Sequence, residues 1–84
     1  MDREEIKNKL KEIFDKVSSK KIELEIKEET QLGEDFYLDS LEWMEMLFEI
    51  ESQFSVNIDP EEAMRLKSVK DVMDVIQQRM KQEN

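Results

Sequence analysis

Only two of the 84 residues, Gly33 and Pro60, are strong breakers of regular structure. In a helix interior glycine costs about 1 kcal/mol and proline about 3 kcal/mol, so a chain nearly free of both is left open to helix over most of its length. The apolar residues follow that opening. Ile6, Leu10, Ile13, Phe14 and Val17 fall on one face at helical spacing, and Ser18-Ser19 ends the run. Ile22, Leu24 and Ile26 then alternate with charges, which is the period of a strand. A single alternating stretch with no partner strand predicts an extended loop lying on a bundle, continued by Thr30 to Leu38. A second helix is expected to start near Asp39, with Leu41, Met44, Leu47, Phe48, Ile50 and Phe54 as a broad apolar face. Ser55-Val56-Asn57-Ile58 breaks away from it. Asp59-Pro60-Glu61-Glu62 opens a short third helix with Ala63 and Leu66, and Ser68 opens the last, with Val69, Val72, Met73, Ile76 and Met80 inward.

The expected helix starts share one pattern. Asp2/Glu5, Asp39/Glu42, Asp59/Glu62 and Ser68/Asp71 each place a capping residue three positions before an acid. The capping side chain accepts from an orphan backbone N–H while the later acid reaches back or complements the helix dipole, each cap contributing about 0.5–2 kcal/mol. Pro60 falls at the first helical position, where its missing N–H costs nothing. The fold class is all-α: a small four-helix bundle of three longer helices and one short third helix, with a long first loop, as one domain over residues 1–84. A chain this short buries only about 60–65% of its unfolded surface, so its core is marginal. Met44, Met46, Met64, Met73 and Met80 are expected to fill that core with deformable thioethers.

Composition removes whole classes of chemistry. There is no cysteine and no histidine. A Ser-His-Asp triad, a zinc site built on His or Cys, and a disulfide framework are all excluded. No apolar run is long enough to cross a bilayer, and Met1-Asp2-Arg3-Glu4-Glu5 is too charged for a signal peptide, so a soluble, cytoplasmic protein is expected. Glu34, Asp35 and Asp39 lack the alternating ligands and the sixth-position glycine of an EF-hand, and no metal site is expected.

The formal charge of −9 is placed rather than spread. Residues 30–62 hold ten acids and no Lys or Arg, whereas residues 1–29 have nine acids against eight bases and residues 63–84 three against five. Such a field repels nucleic-acid phosphates and attracts basic protein surfaces. Near its middle stands Asp39-Ser40-Leu41. With Asp39 as the cap, Glu42 is the third helical residue, and Leu38 and Trp43 take the two positions of a hydrophobic staple. Ser40 is then the first helical residue, its hydroxyl unclaimed, where backbone N–H groups and the dipole favour a phosphate. No base in the chain is suited to activate it, which points to a residue modified by another protein rather than to a catalytic nucleophile, and the chain is not expected to be an enzyme.

The segment Leu32-Gly33-Glu34-Asp35-Phe36-Tyr37-Leu38-Asp39-Ser40-Leu41 resembles the prosthetic-group attachment region of acyl carrier proteins. The likeness runs without gaps through Glu42, Glu45, Leu47, Ile50 and Phe54, then Ile58-Asp59-Pro60-Glu61-Glu62-Ala63, to Ser68-Val69 and Ile76. The Asp-Ser-Leu triplet is weak alone; placed at a capped helix start with the Glu-Glu-Ala helix downstream it is specific. The resemblance implies that Ser40, flanked by Asp39 and Leu41, receives 4′-phosphopantetheine from coenzyme A through a phosphodiester, installed by a phosphopantetheinyl transferase with a divalent metal. The arm's thiol then carries acyl groups as thioesters in fatty-acid, polyketide or specialised lipid biosynthesis, which supplies the sulfur the chain lacks. It implies equally that Asp35, Glu42, Glu45 and Glu51, with Asp39, meet basic patches on acyl-transferring and acyl-modifying enzymes, with Phe48 as the apolar contact and the chain a monomer. Rim charge of this kind speeds and orients encounter more than it tightens binding.

Three residues depart from the family pattern. Tyr37-Leu38 stands where many housekeeping carriers have Gly-Ala or Gly-Gly, and Trp43 falls near the pocket that shelters the cargo in that family. Trp43 either fills that pocket or serves only as the staple to Leu38. An aminoacyl or peptidyl carrier, and an unmodified acidic helical adaptor for basic proteins, are the competing readings.

Overall fold

Asp2 starts the first helix: its carboxylate accepts from the Glu5 backbone N–H at 2.9 Å, and α1 runs Arg3–Val17. The structure, a computed structural model, describes residues 2–18, 26–35 and 38–82, the side chains of residues 34, 35, 81 and 82 excepted. Along the described chain α1 is followed by α2 (Leu32–Asp35), α3 (Ser40–Phe54), α4 (Pro60–Ala63) and α5 (Val69–Gln82). The expected bundle of three long helices and one short one is present as α1, α3, α4 and α5. The single turn α2 is an addition inside the first loop, which the sequence pattern left irregular. Ile26 of the alternating stretch is buried; Ile22 and Leu24 lie outside the described residues.

That loop is stitched to the start of α5 by backbone groups. Leu32 N–H donates to the Lys67 carbonyl at 2.8 Å, Val69 N–H to that of Thr30 at 3.0 Å and Lys70 N–H to that of Glu28 at 2.8 Å. Arg3 fastens the same corner from the other side, donating to Asp74 at 2.9 Å, to Gln77 at 2.6 Å and to Glu28. Residues 28–32 are therefore anchored to the start of α5.

The start of α5 is closed reciprocally. Ser68 Oγ accepts from the Asp71 N–H at 3.3 Å, and Asp71 Oδ2 accepts from the N–H groups of Lys67 at 3.0 Å and Ser68 at 3.1 Å. These hydrogen bonds, that from Lys67 foremost, hold the Asp71 carboxyl below its ordinary range. A depressed folded-state value adds stability above the unfolded titration range and loses it as pH falls through the folded one. Asp71→Asn is expected to lower the melting temperature at neutral pH, with the gap from wild type closing in acid. Thermal melts of both proteins across the acid range measure this; a gap that stays constant with pH would count against it.

α1 packs against both α3 and α5. Its predicted face is buried completely, as are Val69, Val72, Met73 and Ile76 of α5. The predicted face of α3 needs correction. Met46, Ile50 and Phe54 are its buried residues, an i, i+4, i+8 ridge set against α1. Leu41, Met44 and Phe48, which helical spacing places on the same apolar face, are 66%, 56% and 68% exposed, Phe48 being the residue that the family resemblance makes an outward contact. Eight apolar residues between Leu41 and Phe54 surround more of the helix than one neighbour covers, so packing chooses among them. The methionines divide likewise: Met46 and Met73 are core, Met80 is partly buried against it, and Met44 and Met64 face solvent.

α3 ends without a glycine. Ser55 takes the left-handed conformation at φ 54°, and the N–H groups of Ser55 and Val56 return to the Glu51 carbonyl. The chain then folds back so that Val56 and Ile58 join the core, which the broken pattern at these residues did not signal. Arg79 of α5 secures the next corner. Its guanidinium donates to Glu62 of α4 and, at 3.3 Å, to the Asn57 carbonyl.

Candidate functional site

Asp39 and Glu42 close the start of α3 from both sides. Asp39 Oδ1 accepts from the Glu42 N–H at 2.8 Å, and Glu42 Oε1 accepts from the Asp39 N–H at 3.1 Å. The cap is therefore Asp39, as the sequence predicts, and Ser40 is the first helical residue. Ser40 is exposed, and its hydroxyl makes no hydrogen bond to any described residue. Leu38 and Trp43, the predicted staple, are both partly buried against the core and line a common cavity. Tyr37 lies outside the described residues.

From Trp43 an apolar groove of about 330 Å³ runs down α3 and under α4, lined by Met44, Leu47, Phe48, Ile58, Ala63 and Met64 among others. Trp43 is three residues from Ser40, an axial distance of about 4.5 Å, so the groove opens one turn from the serine. Sequence reasoning missed the α4 side of this groove. Met64, expected in the core, is 82% exposed at its rim because α4 is a single turn that buries only Ala63.

The predicted docking acids differ in circumstance. Glu45 is exposed and has no partner among the described residues. Glu42 is committed to the cap, and Glu51 accepts from the Ile58 N–H at 3.1 Å, holding the chain beneath α3. The side chain of Asp35 lies outside the described residues. Leu41, Met44 and Phe48 stand exposed among these acids as an i, i+3, i+7 stripe. No group of described residues is arranged to hold a metal ion.

Bases from elsewhere reach into the acidic segment. Lys16 of α1 donates to Glu49 at 3.0 Å, and Arg79 of α5 to Glu62. The Lys16 hydrogen bond, then that of Gln53, holds the Glu49 carboxyl below its ordinary range. Glu42, Glu45 and Glu49 still follow one another at i,i+3 and i,i+4, where like charges oppose the helix by about 0.2–0.5 kcal/mol per pair. Salt or Mg²⁺ is expected to raise the melting temperature by about 2–8 °C, since the two pairs together oppose folding by about 0.4–1 kcal/mol and 1 kcal/mol shifts a chain of this size by about 4–8 °C. A melting temperature unmoved by either would count against a net repulsion.

A family model described as the phosphopantetheine attachment site matches residues 5–76. An acyl carrier protein of Rickettsia bellii is 37% identical over 73 residues, 87% of this chain and 84% of that protein. An acyl carrier protein of Rubrobacter xylanophilus is 36% identical over 77 residues, 90% of this chain and 93% of that one. The crystal structure of an acyl carrier protein from Thermotoga maritima matches with a TM-score of 0.85 at 25% identity, covering 100% of this chain and 96% of that one. The chain belongs to the acyl carrier proteins, the family defined by a phosphopantetheine attachment site. Its members are carriers rather than enzymes, and their prosthetic group is 4′-phosphopantetheine. Among the described residues no helix is long and apolar enough to cross a membrane.

Proposed function

We propose that Ser40 is the phosphopantetheine attachment residue, and that this chain carries acyl intermediates as thioesters on the arm for fatty-acid, polyketide or specialised lipid biosynthesis. The observation that carries this reading is the exposed Ser40 hydroxyl, free of partners among the described residues, at the first position of a capped 15-residue helix beside an apolar groove. A serine occupied as a cap would have its oxygen already bonded; Asp39 leaves it accessible. The phosphodiester places negative charge where the helix N-terminus stabilises it by about 0.3–1 kcal/mol. The prosthetic group supplies a thiol, the nucleophile that a cysteine-free chain lacks. Leu41, beside the attachment residue and two-thirds exposed, offers apolar surface to the arm and to the transferase.

Asp35, Glu42, Glu45 and Glu51 are read as the rim that meets Lys/Arg patches on the transferase and on acyl-handling enzymes, with Phe48 as the apolar centre. Phe48 is the strongest of these positions, because a large side chain left 68% exposed among acids is poorly explained by folding. The chain is taken to act as one monomeric carrier unit in the cytoplasm.

Intact mass after incubation with coenzyme A, Mg²⁺ and a permissive phosphopantetheinyl transferase tests the reading. The expected result is a gain of one phosphopantetheinyl group. No gain with several transferases would favour an unmodified acidic adaptor.

A further inference from the structure

Trp43 lies where two cavities divide. The groove of about 330 Å³ runs from it beneath α3 and α4. A second cavity of about 300 Å³ is lined by Gln31, Leu32, Gly33, Leu38 and Leu66 among others, again with Trp43. Trp43 is the side chain common to both linings. The second cavity is open at Gly33, where an added Cβ would meet nothing within 4 Å. Its apolar wall comes from three leucines, two of which, Leu32 and Leu66, belong to the core cluster. The two spaces are of similar size, and Trp43 contributes to the wall of each.

We propose that Trp43 is a specificity-determining residue that sets the length of acyl chain this protein shelters, by keeping the groove and the second cavity apart. The inference rests on the carrier reading of Ser40. The arm on Ser40 would start one turn from Trp43, and cargo on its far end would reach the groove by folding back along α3. With the ring in place it fills the groove alone. Each methylene that enters gains burial, and each one beyond the groove's capacity stays in water. The ring has neighbours beyond the groove. It is partly buried against the core and shares the second cavity's wall with Leu38, the other half of the staple that fixes the entry of the chain into α3. Removing the ring joins the two spaces, and longer cargo then continues to gain burial.

The test loads wild type, Trp43→Ala and Trp43→Leu with an acyl-coenzyme A series from butyryl to palmitoyl, using a permissive transferase. Each product is checked by intact mass and then melted. In wild type the melting temperature is expected to rise by about 3–6 °C per buried methylene and then to level off before the longest chains. In Trp43→Ala the rise continues to longer members of the series. Trp43→Leu, which keeps an apolar partner for Leu38, levels off between the two and guards against an alanine variant that does not fold. As the only tryptophan, Trp43 also reports on itself in the unmutated protein. Its emission is expected to shift to the blue as the chain lengthens and to stop where the melting temperature levels off. A rise in wild type that continues through palmitoyl, or the same levelling length in all three proteins, overturns the assignment of Trp43 and leaves the carrier reading intact. Emission indifferent to chain length overturns it equally. Failure of every protein to load overturns the carrier reading itself.

Discussion

Ser40→Ala is expected to abolish the gain of a phosphopantetheinyl group while leaving the melting temperature within about 0.5 kcal/mol equivalent of wild type. The two halves of this result separate the roles a serine can play at a helix start. A capping serine replaced by alanine costs about 1 kcal/mol, because an orphan N–H loses its acceptor. Here that acceptor is Asp39, at 2.8 Å from the Glu42 nitrogen, and the Ser40 oxygen bonds to nothing described. Alanine at the first helical position has good propensity and removes no contact. Intact mass and a thermal melt on the same sample decide the matter. A variant that still loads would move the attachment elsewhere. A variant that fails to load and also melts several degrees early would return Ser40 to a structural role and leave the loss of loading ambiguous, in which case Ser40→Gly, nearly neutral as a cap substitution, resolves it.

Phe14→Ala is expected to destabilise the fold by about 3–5 kcal/mol, the range for emptying a fully buried aromatic site. Phe14 is 0% exposed and heads the largest side chains of the core. A domain of this length has roughly 4–13 kcal/mol of stability in all, so the loss removes from about a quarter of it to the whole. Phe48→Ala is the matched control. The same side chain is deleted, but from a site 68% exposed, and the expected cost is within about 0.5 kcal/mol. Urea titration of both variants should show a large fall in midpoint for Phe14→Ala and almost none for Phe48→Ala, at unchanged slope. Equal losses would mean that α3 turns Phe48 inward in solution. If Phe48→Ala is stable but loads more slowly, the exposed ring is serving a partner rather than the core.

These two phenylalanines mark where sequence reading succeeds and where it stops. On α1 the apolar residues occupy one stripe, so periodicity names the buried set correctly, Phe14 included. On α3 they exceed one stripe, and nothing local distinguishes Met46, which is buried, from Met44 two residues earlier, which is not. Helix starts were legible because a cap is decided within four residues: Asp2, Asp39 and Ser68 each accept from the predicted N–H. At the Asp59 start the later acid reaches back as expected, Glu62 accepting from the Asp59 N–H at 3.4 Å. Helix α2 was missed because a single turn has no period to read.

The site follows the same division. Ser40 and its cap are local features, and each stands where the sequence puts it, while Leu38 and Trp43 both pack against the core. The acidic segment was read as one field without bases, and within residues 30–62 that is true. Lys16 and Arg79 reach in from 33 and 17 positions away, so Glu49 and Glu62 are spent on holding helices together. Glu51 is likewise committed to the Ile58 N–H. No one-dimensional count of charge distinguishes these from Glu45.

By itself the sequence determined the helical class, the helix starts, the α1 and α5 core faces and the placement of Ser40 at the head of α3. All of these depend on residues within one or two turns of each other, where propensity and capping act. Tertiary structure decided which apolar residues of α3 remain outside, which acids are neutralised, and that Trp43 lines two cavities. Those outcomes depend on what packs opposite, and the partners come from α1, α4, α5 and the first loop, brought together only when the chain closes on its core.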